Sequence, residues 1–173
     1  MDLKKITEHL NYEYTQLEFL AVKLPGMCDD DVRLQWACLE AFLVHARVLL
    51  DFLHLWDGNG LASNYVVKTE WWQDKVVEQA LNTDLLKDAR NYANQRVAHL
   101  TPERYSTIPE VKYLDIARDI EKAFHEFLKL AKPELLCDQL RELKNTPEQR
   151  PIEKVYAVVG HVTISTSPDT RAK

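Results

Sequence analysis

An arginine and a histidine stand three positions apart near the middle of the chain, at Arg96 and His99. A guanidinium is permanently charged and forked, so it can stabilise the extra negative charge of a pentacovalent phosphate. An imidazole can accept or donate a proton near neutral pH. The two residue types therefore predict metal-free cleavage of RNA, with Arg96 stabilising the phosphate and His99 acting as acid and base.

Two further residues of the same segment are candidate substrate contacts. Tyr92 is four positions before Arg96, and in a regular helix Tyr92, Arg96 and His99 share one face. Either Asn91 or Asn94 could add an amide close to them, and we choose Asn94. We therefore predict that Tyr92 and Asn94 bind substrate. The alternative for His99 is structural, since a histidine in the last turn of a helix often interacts only with free carbonyl groups there.

A second set of polar residues recurs along the apolar segment that follows Asp31. At steps of seven, seven, four and three, its members form one stripe of a helix: Arg33, Glu40, Arg47, Asp51 and His54. If this stripe meets the Arg96 segment, Arg47 and Asp51 are further substrate-binding residues. The alternative is a simple ion pair between them, worth about 0.3–0.5 kcal/mol. His45 lies on the apolar side of the same segment and is predicted to be a hydrogen-bonded core histidine.

Apolar residues recur at helical spacing along most of the chain. Pro25-Gly26 and Thr101-Pro102 interrupt that pattern with residues that end helices, and Thr83 is a typical capping residue. The predicted helices cover residues 3–23, 32–56, 70–81, 84–99, 110–132 and 134–144. The pattern predicts an all-α fold in which the segment 32–56, apolar over most of its circumference, is the central helix.

The pattern changes after residue 146. Residues 155–164 are rich in β-branched side chains and have no helical stripe, which is typical of a strand. We therefore divide the chain into a helical domain, 1–146, and a C-terminal extension, 147–173, that is strand-like and then disordered. Because a single strand cannot satisfy its own backbone, we expect it to pair between two chains or with a protein partner.

Composition limits the possible functions. The chain has 173 residues, 46% of them apolar, and a net charge of −5, which excludes a generally basic nucleic-acid-coating surface. Its three cysteines form no CxxC pair, and no glycine-rich loop or histidine cluster predicts a metal or a cofactor. No segment has the length and apolarity of a secretion signal or a membrane span. We expect a cytoplasmic protein without a metal, a cofactor or a membrane partner.

The run ARNYANQRVAHLT at 89–101, within a helical domain of this size, resembles the HEPN superfamily of prokaryotic toxin–antitoxin and abortive-infection proteins. The run EAFLVHARVLLDF at 40–52 is similar to the second helix of such proteins, and the resemblance covers roughly residues 5–130. It implies an antiparallel four-helix bundle, here with an extra short helix, and a homodimer. It also implies that an arginine and a histidine cleave RNA at the dimer cleft.

Two other hypotheses remain open. In the family, four to six residues separate the arginine from the histidine, whereas two separate Arg96 from His99. A non-catalytic interaction or dimerisation module, antitoxin-like, is therefore the alternative to an RNA-binding or RNA-cleaving protein. A third hypothesis is a small-molecule pocket between helices, lined by Glu40, Arg47 and Asp51.

Overall fold

The computed structural model describes residues 2–27, 32–54, 61–67, 72, 81–98 and 111–145, and these residues are mostly helical. The α-helices are α1 (Leu3–Lys23), α2 (Val32–Leu53), α3 (Asp84–Tyr92), α4 (Tyr113–Leu130) and α5 (Asp138–Asn145). The only β pairing in these parts of the chain is an isolated antiparallel bridge between Val66 and Ala131. The expected all-α class is confirmed for the described residues.

Local chemistry explains where several helices begin and end. The carboxylate of Asp2 accepts hydrogen bonds from the first turn of α1, and the Thr83 hydroxyl accepts one from the backbone of Leu86 in α3 at 3.3 Å. The segment containing Pro25 and Gly26 ends α1 in a tight 3₁₀ turn, Leu24–Met27. Two further 3₁₀ turns lie at Leu61–Asn64 and Pro133–Leu135.

The element that carries the predicted site is not a regular helix throughout. The sequence predicts one α-helix over residues 84–99, but α3 ends at Tyr92 and continues as a π-helical turn, Ala93–Ala98. A π turn bonds each residue to the fifth one along, so it is wider than an α-helical turn. Positions 92 and 96 are therefore not related as in a regular α-helix, and the predicted shared face does not apply to this segment.

The central helix of the described structure is α2. It packs against α1, α3, the π-helical turn and α4. Side chains along its length are fully buried in the common core, among them Phe42, Leu49, Leu50 and Leu53. Burial of this kind is worth about 1.5–3 kcal/mol for each large apolar side chain, so α2 contributes a large share of the packing energy.

Aromatic rings around Phe127 join distant parts of the chain. The ring centroid of Phe127 lies 5.2 Å from that of Phe52, 5.9 Å from that of Trp72 and 6.1 Å from that of Tyr65. The edge-to-face orientations of Phe52 and Trp72 are those that aromatic quadrupoles prefer. This cluster fixes α4 against the end of α2 and against the segment 61–67.

Polar contacts connect α1 to both of its neighbours. The Tyr14 hydroxyl lies 3.0 Å from Nε2 of His125, and both side chains are buried between α1 and α4. Nδ1 of His45 lies 2.6 Å from a carboxylate oxygen of Glu13, which links α2 to α1. The prediction that His45 is a hydrogen-bonded histidine of the packed interior is thereby confirmed, although its side chain keeps 14% exposure.

Lys144 of α5 caps the end of α4. Its ammonium group donates hydrogen bonds to the backbone oxygens of Leu128, Lys129 and Ala131, at 2.8, 3.1 and 2.7 Å. These carbonyl groups have no partner within the helix, so the lysine supplies one. Burial lowers the pKa of Lys144, and the cost of that desolvation partly offsets the capping bonds.

Other predictions concern parts of the chain outside the described residues. These are the strand 155–164, the division of the chain after residue 146, and most of the helix 70–81. Of that helix the structure describes Trp72 and Leu81, both fully buried. The four-helix bundle and the C-terminal extension therefore remain predictions.

The phenol of Tyr65 gives a test of the packing between the segment 61–67 and α1. Its hydroxyl donates a 2.9 Å hydrogen bond to the backbone oxygen of Leu3. Burial, and then the negative charge of Asp2, raise the pKa of Tyr65 above its ordinary value of 10.0. The stability that this group contributes is thus complete below pH 10 and is lost as the pH rises through the raised value.

We expect Tyr65→Phe to lower the free energy of unfolding by about 1 kcal/mol at pH 8, because one hydrogen bond is lost. Between about pH 9 and pH 11 the variant should lose less stability than the wild type, since the titrating group is absent. Denaturant unfolding at a series of pH values measures both effects. Tyr12→Phe, at a tyrosine that is 54% exposed, is the matched control. Parallel pH profiles for wild type and Tyr65→Phe would contradict the assignment.

Candidate functional site

Three charged side chains form an ion-pair cluster where α2 meets α3. One oxygen of Asp51 lies 2.5 Å from Nε of Arg90, and the other lies 3.6 Å from Nε of Arg47. The three side chains are 19–33% exposed, so water screens them only in part.

The sequence places Arg90 in this cluster through the spacing of α3. Leu86 and Ala93 are both buried, and Arg90 is four residues after the first and three before the second. Arg90 therefore lies on the side of α3 that packs on α2. Asp51, near the last turn of α2, meets it there.

Sequence reasoning paired Asp51 with Arg47 and did not include Arg90. A usable signal was present. A carboxylate on a helix that is apolar over most of its circumference needs a counter-charge from a neighbouring helix, and Arg90 is next to the apolar stripe of α3. The interpretation of Arg47 and Asp51 as an ion pair is confirmed. Asp51 also pairs with Arg90, and that contact joins α2 to α3.

An open cleft of about 660 Å³ lies between α2, α3 and the start of α4. Apolar side chains from all three helices line it: Leu43, Leu85, Val111 and Ile116. Polar side chains around it come from α3, the π-helical turn and the residue before α4: Asp88, Asn91, Tyr92, Gln95 and Lys112. Its volume and its mixture of an apolar lining with a few polar groups are those of small-molecule or single-nucleotide sites.

The predicted site residues divide between these two features. Tyr92 lines the cleft, whereas Arg47 and Asp51 belong to the ion-pair cluster and do not line it. Asn94 is half-buried in the π-helical turn and is not among the lining residues. The backbone of Arg96 belongs to the same turn, but its side chain lies outside the described part of the chain, and so does the whole of His99.

The side chains around the cleft offer a definite set of interactions. The amides of Asn91 and Gln95 can donate and accept hydrogen bonds, and the carboxylate of Asp88 can accept them from an amino group. Tyr92 presents an aromatic ring, and Lys112 is a cation that can pair with a phosphate. Of these, Tyr92 is a predicted site residue, and Asn91 is the sequence alternative to Asn94. Lys112 follows a stretch with no helical pattern, so nothing in its spacing indicated the cleft.

Two further observations concern metals and membranes. Within the residues that the structure describes, no group of three or more histidine, cysteine, aspartate and glutamate side chains could hold a metal ion. No helix in the same residues has the length and apolarity needed to cross a bilayer.

Comparison of the chain with known protein families, curated proteins and solved structures gives no match. Functional residues therefore cannot be transferred to this chain from a relative. A functional proposal has to start from the cleft, the ion-pair cluster and the sequence motif themselves.

The contact between Asp51 and Arg90 can be measured by a double-mutant cycle with Asp51→Ala and Arg90→Ala. We expect a coupling energy of about 1–2 kcal/mol, because the pair is short, partly buried and joins two helices. The exposed pair Glu126 and Lys129, within α4, is the control, and its coupling should stay below about 0.5 kcal/mol. Equal coupling energies for the two pairs would contradict a structural role for the cluster.

Proposed function

We propose that this protein binds single-stranded RNA in the cleft and cleaves it without a metal, with Arg96 and His99 as catalytic residues. The observation that carries the proposal is the position of the cleft. It is lined by α3 and by the π-helical turn, and that turn contains Arg96 and ends one residue before His99. A nucleotide held there would lie beside the segment with the arginine–histidine pair.

The side chains around the cleft suit an unpaired nucleotide. Proteins recognise single-stranded RNA by stacking bases on aromatic rings and by hydrogen bonds to base edges. Tyr92 supplies a ring, Asn91 and Gln95 supply amides, and Lys112 supplies a positive charge for the backbone. The irregular turn also favours this interpretation, since π turns inside helices occur frequently at functional sites.

The proposed reaction needs one proton acceptor and one stabilising cation. His99 takes the proton from a ribose 2′-hydroxyl, and the resulting oxygen attacks the adjacent phosphorus. Arg96 stabilises the added negative charge of the five-coordinate phosphate. The bond from phosphorus to the 5′-oxygen then breaks, and that oxygen takes up the proton that His99 accepted, which leaves a 2′,3′-cyclic phosphate, a 5′-hydroxyl and a neutral His99. The resemblance of residues 89–101 to the HEPN superfamily supports the same chemistry and a defence or toxin role.

The test is cleavage of a mixed RNA pool in EDTA by the full-length protein. We expect wild type to cleave, and Arg96→Ala and His99→Ala each to lower the rate by at least about 100-fold, as for the loss of an acid–base or charge-stabilising group. Product ends report the mechanism, because a 2′,3′-cyclic phosphate requires attack by the 2′-hydroxyl.

Two matched substitutions control for general loss of charge or imidazole. They are Arg118→Ala on α4, where the arginine pairs with Asp115 and Asp119, and His9→Ala at an exposed position of α1. Both controls should cleave at the wild-type rate. Cleavage that survives in both site variants, or a folded wild-type protein that neither cleaves nor binds the pool, would overturn the proposal.

A second function is favoured by a different observation, the apolar side chains exposed on α1 and α2. Six of them are at least 39% exposed: Tyr12, Phe19, Val22, Leu34, Val44 and Val48. Single exposed apolar residues are common, but a grouped set is typical of an interaction surface. We therefore also propose a dimerisation module that needs no catalytic activity.

A further inference from the structure

One side of α2 is apolar and exposed along four turns. Its residues follow at steps of three, four, three and four, the spacing of a coiled-coil seam: Leu34, Ala37, Ala41, Val44 and Val48. Leu34 is 50% exposed, Val44 39% and Val48 41%. The opposite side of α2 is buried in the core of the same chain, and of the seam residues Ala41 is partly buried against that core, whereas the others are exposed.

A neighbouring stripe on α1 widens this surface. Tyr12, Thr15, Phe19 and Val22 recur at steps of three, four and three, and the three apolar members are 39–54% exposed. The ring centroid of Tyr12 lies 5.8 Å from that of His45, which is next to Val44 on α2. The two stripes therefore lie side by side, and none of their members is charged.

Charged residues border the seam on the side away from α1. Arg33, Glu40 and Arg47 each immediately precede a seam residue, which is the g position of a heptad. Charges at such positions set the orientation and the register of helix pairs. The order positive, negative, positive therefore restricts which helix can pack on the seam.

Among the registers that align most of the seam, this order selects one arrangement with a second copy. In an antiparallel pair, g positions face g positions. Placing Ala41 opposite Val44 of the partner subunit also places Glu40 opposite Arg47 of the partner subunit, and the twofold axis repeats both contacts. Sliding by one heptad in either direction sets Glu40 or Arg47 opposite its own copy. In a parallel pair, Arg33, Glu40 and Arg47 lie opposite the positions of Cys38, His45 and Phe52 in the second copy. No glutamate then faces an arginine.

We propose that two copies of this chain associate through the apolar seam of α2, antiparallel, with Glu40 of each copy opposite Arg47 of the partner subunit. The inference rests on the second function proposed above and adds its interface and register. The α1 stripe extends the contact on the other side of the seam, toward the roughly 800 Å² per subunit that stable complexes bury. It is independent of RNA cleavage.

The test is the mass of the full-length protein in solution, measured by sedimentation equilibrium over a range of concentrations. We expect a dimer for wild type. Val44→Asp should raise the dissociation constant at least about 100-fold, because two carboxylates would be buried close to the twofold axis. Val67→Asp is the matched control, at a valine that is 67% exposed and outside both helices, and it should leave the dissociation constant unchanged.

The predicted register is tested by charge reversal at two half-buried positions, and Glu40→Arg also guards against a Val44→Asp protein that fails to fold. Glu40→Arg alone and Arg47→Glu alone should each weaken self-association about tenfold, since like charges then face each other. A mixture of the two variants should form a heterodimer of wild-type affinity.

The possible outcomes distinguish the interface from the function. A wild-type monomer overturns self-association itself and leaves the surface to another occupant, such as a further segment of the same chain or a different protein. A wild-type dimer that Val44→Asp does not weaken retains dimerisation but overturns this interface. A dimer that Val44→Asp breaks, but that both charge reversals leave intact, overturns the register.

Discussion

The structure depends on how α2 divides its circumference. One side is buried in the core that it shares with α1, α3 and α4, and another presents the apolar seam to solvent. Its polar edge meets α3 through Asp51 and Arg90. The helix α2 is therefore apolar on two sides, and within the described residues only one of these sides is buried. The other side is an exposed apolar surface that a partner could cover. Core packing, the ion-pair cluster and the proposed dimer interface all follow from that division.

Much of the helical structure could be predicted from the sequence, because it depends on local signals. Pro25 and Gly26 end α1, Thr83 caps α3, and the apolar spacing of residues 113–130 places α4. The π-helical turn could not be predicted, since its residues have no pattern that differs from an ordinary helix. The turn packs against α2, and tertiary packing of this kind can override local helix propensity.

The candidate site was predictable only in part. Sequence spacing paired Arg47 with Asp51 because both belong to one helix, and it placed Tyr92 on a segment that proves to line the cleft. Spacing along one helix does not pair Asp51 with Arg90, because 39 residues separate them and the contact depends on how two helices pack. Lys112 reaches the cleft for the same reason. The roles of Arg96 and His99 remain a proposal, supported by the π-helical turn that lines the cleft, contains Arg96 and ends one residue before His99.

The most direct test of this account is a distance between two copies of α2. A nitroxide label is attached to a cysteine introduced at residue 33, in a chain whose three native cysteines are replaced by alanine. Pulsed electron–electron double resonance then measures the distance between the two labels of a dimer. The antiparallel register proposed predicts a separation of about 30 Å, because 19 residues at about 1.5 Å each separate the two labels along the helix axis. A parallel pair would give less than about 15 Å, and a register shifted by one heptad about 20 Å or about 40 Å. A distribution at about 30 Å supports the account, and any of those other distances, or no dipolar coupling, contradicts it.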